Sequence, residues 1–326
     1  MQNVSPGMNT SSVVTEFLLL GFSGPWKLHF LPSGVFLLVY LVALAGNGLI
    51  LTVTALDPHL HTPMYFFVRN LSLLDLCLIS AVVPKAVANA LTHRASISFL
   101  GCAAQVFLVL FSAVVDLFLL TAMSMDRYAA ICHPLHYDGI MTRATCAQLV
   151  ALSWLCGAFI SLVHTAEVFS LSYCDLNELQ QFFCDIPQLL AITCSESVMT
   201  EIVLILTNAF LDFTCFICII ISYICIFATV RKIPSTEGQS RAYSTCLPHL
   251  AVVVLFLSTA FIAYLKPILG APSSADLVLS SFYVLLPPSL NPIIYSLRNK
   301  DVKAGLKKLI TRKLLTKENL MTFLLE

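Results

Sequence analysis

Seven long apolar runs, near residues 31–56, 64–90, 99–131, 146–166, 199–230, 243–265 and 277–297, constrain this chain more than any other feature. Each reaches the roughly 20 residues that an α-helix needs to cross the hydrocarbon core of a bilayer. No water is available there for backbone N–H and C=O groups, so each run must close its own hydrogen bonds as a helix. Tilted barrel strands would be shorter and would alternate polar with apolar positions. Composition agrees: 58% of the 326 residues are hydrophobic and 11% charged, more apolar surface than a water-soluble domain can hide. The expected fold is an all-α membrane protein, a seven-transmembrane helix bundle forming a single domain over residues 1–326. Residues 1–28 form an extracellular leader, 29–298 the bundle and 299–326 a cytoplasmic tail.

An odd number of spans puts the two termini on opposite sides. Four basic residues (Lys27, Lys85, Arg94, Lys266) fall on the leader's side and the other fourteen of the 18 on the opposite side. Basic residues stay in the cytoplasm, so the amino terminus is expected outside and the carboxyl terminus inside. Residues 1–10 lack the basic start and apolar core of a cleaved signal, which leaves targeting to the first span. Asn3 and Asn9 open glycosylation sequons on that leader, whereas the match at Asn70 falls inside a span. After the seventh span, Val302, Leu306, Leu309 and Ile310 recur at helical spacing among lysines, as in a short amphipathic helix lying on an anionic leaflet. Basic and acidic residues balance at 18 each, so nothing points to nucleic acid. No phosphate loop, nucleophile elbow or zinc-protease motif is present, and no case for an enzyme arises.

Polar residues inside the spans are the candidates for function, because each is expensive there. Asp126-Arg127-Tyr128 closes the third span, where a charge pair either anchors a helix end at the interface or works as a switch. Asp75 and Asp116 lie deep in the second and third spans, near Asn47, Ser112 and Asn291 in estimated depth; each carboxylate must be paired, protonated or bound to a cation. Cys102, Cys174, Cys184 and Cys194 cluster at the outer side, an oxidising compartment, and four cysteines allow three pairings. His133, His136, Cys132, Cys246 and His249 form no closed metal-ligand set. Asp212, one helical turn from Asn208, is either hydrogen-bonded within the bundle or a recognition group for a basic or hydroxylated ligand.

With these residues placed, the chain closely resembles the olfactory receptors, a branch of the rhodopsin-like G-protein-coupled receptors. The resemblance rests on Gly46-Asn47, on Leu60-His61-Thr62-Pro63-Met64-Tyr65-Phe66-Phe67, and on the stretch Met123–Tyr137. It continues through Ser222-Tyr223, Ser244-Thr245-Cys246 and the run from Pro287 to Asn299. One such motif would be weak evidence; the ordered set along nearly the whole chain is specific. The short leader and loops resemble the terrestrial (class II) type, associated with airborne odorants.

What the resemblance implies is concrete. Arg127 is held by Asp126 at rest and released to a G protein, with Tyr128, Tyr223, Asn291, Pro292 and Tyr295 forming the rest of the switch. Ser124-Met125 stands where the family usually has Ala-Tyr, and Leu257-Ser258 where it has Tyr-Gly. A sodium ion held by Asp75, Ser112, Asp116 and Asn291 is implied, against a protonated, metal-free pair; no other cofactor is expected. Cys102–Cys184 and Cys174–Cys194 are the implied disulfides. The implied ligand site comprises Val106, Val109, Leu110, Ala113 and Val114 of the third span, Thr207, Asn208 and Leu211 of the fifth, Phe261 and Tyr264 of the sixth, and Ser280 and Val284 of the seventh. Any one of these could equally be helix packing. Mostly apolar walls suit a small, volatile, weakly polar molecule. The expected partners are such an odorant, a stimulatory heterotrimeric G protein of olfactory type that raises cyclic AMP, and the lipid bilayer of the plasma membrane. The alternatives are a receptor of this lineage with a non-odorant or protein ligand outside olfactory tissue, and a channel or transporter. The latter is disfavoured by the lack of internal repeats and of a charged pore stripe.

Overall fold

The computed structural model describes residues 14–21, 30–92, 95–173, 176–194, 199–269 and 274–297, with 302, 304, 305 and 307 beyond them; for 30–32, 261–269, 274–280 and 296–297 the description is of backbone alone. Each apolar run is a helix. In chain order they are α1 (Phe30–Leu56), α2 (Pro63–Thr92), α3 (Phe99–Cys132), α5 (Arg143–Ser170), α7 (Met199–Val230), α8 (Thr236–Leu269) and α9 (Ser274–Leu297). Among the described residues, six are long and apolar enough to cross a membrane; the seventh, α9, has 24 residues, about 36 Å of helix at 1.5 Å per residue. Two short helices, α4 (Tyr137–Ile140) and α6 (Ile186–Ala191), sit in connections. Local chemistry sets several ends. Ser98 and Thr142 accept the amides of Gly101 and Thr145, each at 3.1 Å, as N-caps of α3 and α5.

α3 is the central helix: 67% of its apolar core window is buried, against 17% for α1 and 22% for α5. The outer helices turn leucine and phenylalanine outward instead, with Leu38 on α1, Leu155 and Phe159 on α5, and Leu206 and Phe210 on α7 all exposed. Such a surface is stable only against lipid. Two glycines set how closely helices approach. A Cβ on Gly46 of α1 would lie 2.8 Å from Pro292 Cβ of α9, and one on Gly157 of α5 would collide with Val115 of α3. Neither seam admits a larger residue without moving a helix.

Helix α9 carries Pro287, Pro288 and Pro292 inside it. The Pro288 carbonyl would normally accept the amide of residue 292, and Pro292 has none. Asn47 of α1 supplies the missing donor, its Nδ2 lying 2.9 Å from that carbonyl. The side chain is fully buried. In this way the Gly46-Asn47 pair serves α9 twice, as space and as hydrogen bond.

Residues 16–19, placed by sequence in the leader, form β1 (Glu16–Leu19). It lies between an antiparallel β2 (Ser96–Ser98) and a parallel β3 (Glu178–Leu179). Phe17 is fully buried, with its ring 5.3 Å from Tyr173 and 6.0 Å from Phe99. The leader is thus stitched to both loops that cover this end of the bundle. At the other end, Val302 is buried with Val53, Leu60 and Tyr65; the other positions of the expected amphipathic helix, Leu306, Leu309 and Ile310, lie outside the described residues, as do Asn3 and Asn9.

Gly46→Ala should destabilise the detergent-solubilised protein by about 1–3 kcal/mol, seen as a clear fall in Tm. Gly48→Ala, whose Cβ would meet nothing within 4 Å, should leave Tm nearly unchanged. Equal effects of the two would refute the close approach of α1 and α9.

Candidate functional site

At one end of α3, Asp126 is completely buried and its carboxylate is fully engaged. Arg127 donates to Oδ2 through Nε at 3.1 Å and Nη2 at 2.8 Å, and the Tyr137 hydroxyl donates to Oδ1 at 2.8 Å. Tyr137 sits outside the spans on α4, where burial and then the Asp126 charge push its hydroxyl well above the usual range, so it remains a donor. Tyr128 points elsewhere: its hydroxyl is 3.1 Å from His133 Nε2 at the helix end. Tyr223 of α7 lies 2.5 Å from His249 Nδ1 of α8 and 3.4 Å from the Cys246 carbonyl. Arg127 lies near enough for its charge to act on Tyr223, His249 and Tyr295. Of the histidines and cysteines that the sequence raises as metal ligands, His133 meets Tyr128, His249 meets Tyr223 and Cys132 Sγ meets Thr229 Oγ1 at 3.3 Å.

Half-way along the bundle, Asn291 Nδ2 donates to both oxygens of the buried Asp75, at 3.2 and 3.0 Å. This joins α2 to α9 one residue before Pro292. Asp116 and Ser112 of α3 are buried too. Asp116 Oδ1, Ser112 Oγ, Asn291 Oδ1 and the Tyr295 hydroxyl have no partner among the described residues. All four are oxygens, and with the Asp75 carboxylate beside them they form a hard donor set of a kind that fits a sodium ion.

At the opposite end, the Cys102–Cys184 disulfide ties the head of α3 to the loop between α5 and α7. Gln105 reinforces it: its Oε1 accepts the Cys184 amide at 2.7 Å and its Nε2 donates to the Ala81 carbonyl at 2.8 Å. Cys194 is also disulfide-bonded; Cys174 lies outside the described residues. Under the loop, Val106, Val109, Leu110, Cys184, Asp185 and Ile186 line a narrow gap with no room for a water molecule. Burial pushes the Asp185 carboxyl up to about 7. Val284 and Ala113 pack with Val109 in one apolar cluster, and Val114 with Val106 and Leu110 in another.

On α7, helical spacing sorts the three residues expected to face a ligand. Asn208 and the half-buried Leu211 lie toward the bundle, on the side of the buried Glu201, Cys215 and Ile219. Thr207 instead falls on the exposed stripe of Val203, Phe210 and Thr214, its hydroxyl bonded back to the Val203 carbonyl. The expectation that Thr207 lines the pocket is therefore corrected; the 3.6-residue period turns it toward lipid. The side chains of Phe261, Tyr264 and Ser280 lie outside the description. Sequence reading also passed over Tyr137, Asp185 and His249 as working members of the site. Tyr137 and Asp185 sit in connections, where no periodicity assigns a face, and His249 is identified only by its contact with Tyr223.

Tyr137→Phe keeps the ring and leaves Asp126 Oδ1 without its donor. The expected cost is about 1–3 kcal/mol, read as a lower Tm of the solubilised protein. An unchanged Tm would remove Tyr137 from the clamp.

Comparison with known proteins agrees with this geometry. The family profile described as "Olfactory receptor" matches residues 36–313. The chain is similar to human "Olfactory receptor 14A16", with 63% identity over 95% of this chain and 100% of that protein. It is also similar to human "Olfactory receptor 14L1", at 48% identity over 90% and 91% of the two chains, and human "Olfactory receptor 14A2", at 49% over 94% and 97%. A profile match through all seven helices and relatives aligned over 91–100% of their length place this multi-pass membrane chain in the olfactory receptor family.

Proposed function

We propose that this receptor binds a small, mostly apolar odorant in the disulfide-bearing half of the bundle. Its occupancy is passed to a stimulatory heterotrimeric G protein at the Asp126 end, raising cyclic AMP. The disulfide end faces outward and the Asp126 end the cytoplasm, as the distribution of basic residues favours. The observation that carries the reading is the clamp on Asp126. Arg127 is a buried-edge guanidinium held by one carboxylate, with side-chain exposure of 15% against 0% for Asp126. Breaking that clamp on α3 releases a charge at the mouth of the bundle. A groove of about 420 Å³ along α8, lined by Thr236, Gln239, Ser240, Tyr243, Ser244 and Leu247, opens nearby and would give a partner helix room to dock.

Val106, Val109, Leu110, Ala113, Val114, Asn208, Leu211 and Val284 form the ligand zone in this reading, with Phe261, Tyr264 and Ser280 expected from α8 and α9. Asp75, Asp116, Ser112 and Asn291 hold a sodium ion that neutralises part of the buried charge and favours the resting arrangement. Asp126, Arg127, Tyr137, Tyr223, His249, Asn291, Pro292 and Tyr295 form the switch.

An odorant panel read by cyclic AMP, with Arg127→Ala beside wild type, is the direct test. A wild-type response lost in the variant, with surface staining retained, is expected; a response that survives Arg127→Ala would overturn the coupling scheme. In isolated membranes, sodium in place of potassium should lower basal nucleotide exchange, and Asp116→Asn should erase that difference. An identical sodium effect in the variant would argue against the ion. Epitope tags on both termini test the orientation, and a tail labelled from outside intact cells would reverse it.

A further inference from the structure

The loop between α5 and α7 covers one end of the bundle as a roof, and its residues from Phe182 to Ile186 are all buried. Their side chains go to different walls. Phe183 packs in the apolar cluster that holds Val109, Ala113 and Val284, whereas Cys184 and Ile186 pack in the one that holds Val106, Leu110 and Val114. Those six residues of α3 and α9 belong to the proposed ligand zone. The roof therefore contributes to both walls, and the position in which it lies across α3 decides which of its side chains each wall receives.

Two ties fix that position, and both act on Cys184. The disulfide joins its Sγ to Cys102, at the tips of two side chains, and by itself leaves the loop backbone free to tilt about the bond. The second tie holds the backbone: Gln105 Oε1 accepts the Cys184 amide at 2.7 Å. The same side chain donates through Nε2 to the Ala81 carbonyl at 2.8 Å, in the stretch of α2 that Pro84 interrupts. Gln105 follows Cys102 by three residues, on the same side of α3, and is 3% exposed. Both ends of its amide are engaged, so one buried side chain anchors the roof to α3 and α2 together. It lies next to Val106 and about one helical turn from Val109. The gap between these valines, Leu110 and the residues from Cys184 to Ile186 has no room for a water molecule, so the roof cannot settle closer. A ligand reaching this end of the zone meets side chains whose place Gln105 sets.

We propose that Gln105 is a positioning residue for ligand specificity: by holding the Cys184 amide in place over α3, it fixes how long an apolar ligand the roof admits. The assignment rests on the odorant-receptor reading above, which gives no residue the task of measuring ligand length. Without the Gln105 amide the disulfide still ties the loop to α3, but Phe183 and Ile186 shift relative to Val109 and Val106. The end wall then loses its definition, and ligands of neighbouring length are told apart less sharply.

The test uses the full-length receptor in cells, with surface staining and cyclic AMP dose–response curves for straight-chain alcohols from butanol to decanol and the matching aldehydes and carboxylic acids. In wild type the EC50 should fall roughly fourfold per added methylene, the worth of burying one, up to an optimum length and rise beyond it. Gln105→Met, which keeps the length of the side chain and loses both hydrogen bonds, should move that optimum by a carbon or more, or abolish the rise beyond it, with surface staining retained. Curves all displaced by one common factor at an unchanged optimum would mark a merely structural role and overturn the proposal, as would curves that do not move. Should Gln105→Met fail to reach the surface, Gln105→Asn, one methylene shorter and still polar, is read by the same criterion. Loss of both variants from the surface would make Gln105 a folding residue and overturn the specificity role. Each of these failures leaves the receptor reading intact. Silence of surface-delivered wild type to every series would instead count against the odorant-receptor reading itself, and the role of Gln105 would fall with it.

Discussion

A polar group inside an apolar solvent has to find its partner within the protein, and this one condition organises the bundle. The three prolines of α9 break their own backbone ladder, so the freed Pro288 carbonyl must be met from another helix, and Asn47 meets it. Asp75 cannot rest unpartnered, and Asn291, next to one of those prolines, donates to both its oxygens. Helices α1, α2 and α9 are thereby fastened by a few hydrogen bonds that lipid cannot replace. Gly46 permits the close approach that makes the first of them possible.

The same condition is met unevenly along the bundle, and function follows from the unevenness. Around Asp126 every acceptor is occupied, by Arg127 from its own helix and Tyr137 from the adjoining connection. In the middle, Asp116, Ser112 and Tyr295 keep buried polar atoms without partners among the described residues. A fully satisfied network is rigid, while a partly satisfied one can rearrange at small cost because it has less to lose. In the proposed scheme, an ion that completes the middle layer shifts the balance between two arrangements, and a partner that binds a freed Arg127 shifts it from the other end.

Much of this was legible in the residues. The seven spans followed from run length alone, and the structure departs from them chiefly at ends: the fourth helix runs Arg143–Ser170 where 146–166 was expected, and the sixth begins at Thr236. Polar turns of helix carry no hydropathy signal, so such ends are hidden. Asp126, Arg127 and Asp75 stood out in the sequence because charges in spans are rare, whereas Tyr137, in a connection, did not. Thr207 was placed wrongly, although its spacing with Val203, Phe210 and Thr214 pointed outward. The strand at Glu16–Leu19 went unseen because four residues are too few to show an alternation; only its partners at Ser96–Ser98 and Glu178–Leu179 define it.

Taken alone, the amino-acid order determined the number of crossings, their helical character and the identity of the buried polar residues, since each depends on run length and transfer energy within one segment. Tertiary structure decided which of those residues meet. That Tyr137 answers Asp126, that His249 meets Tyr223, and that Glu201 and His164 pair all depend on contacts between segments 11 to 37 residues apart. Helix rotation and approach set those contacts, and both are fixed only when small residues such as Gly46 and Gly157 let neighbouring helices close.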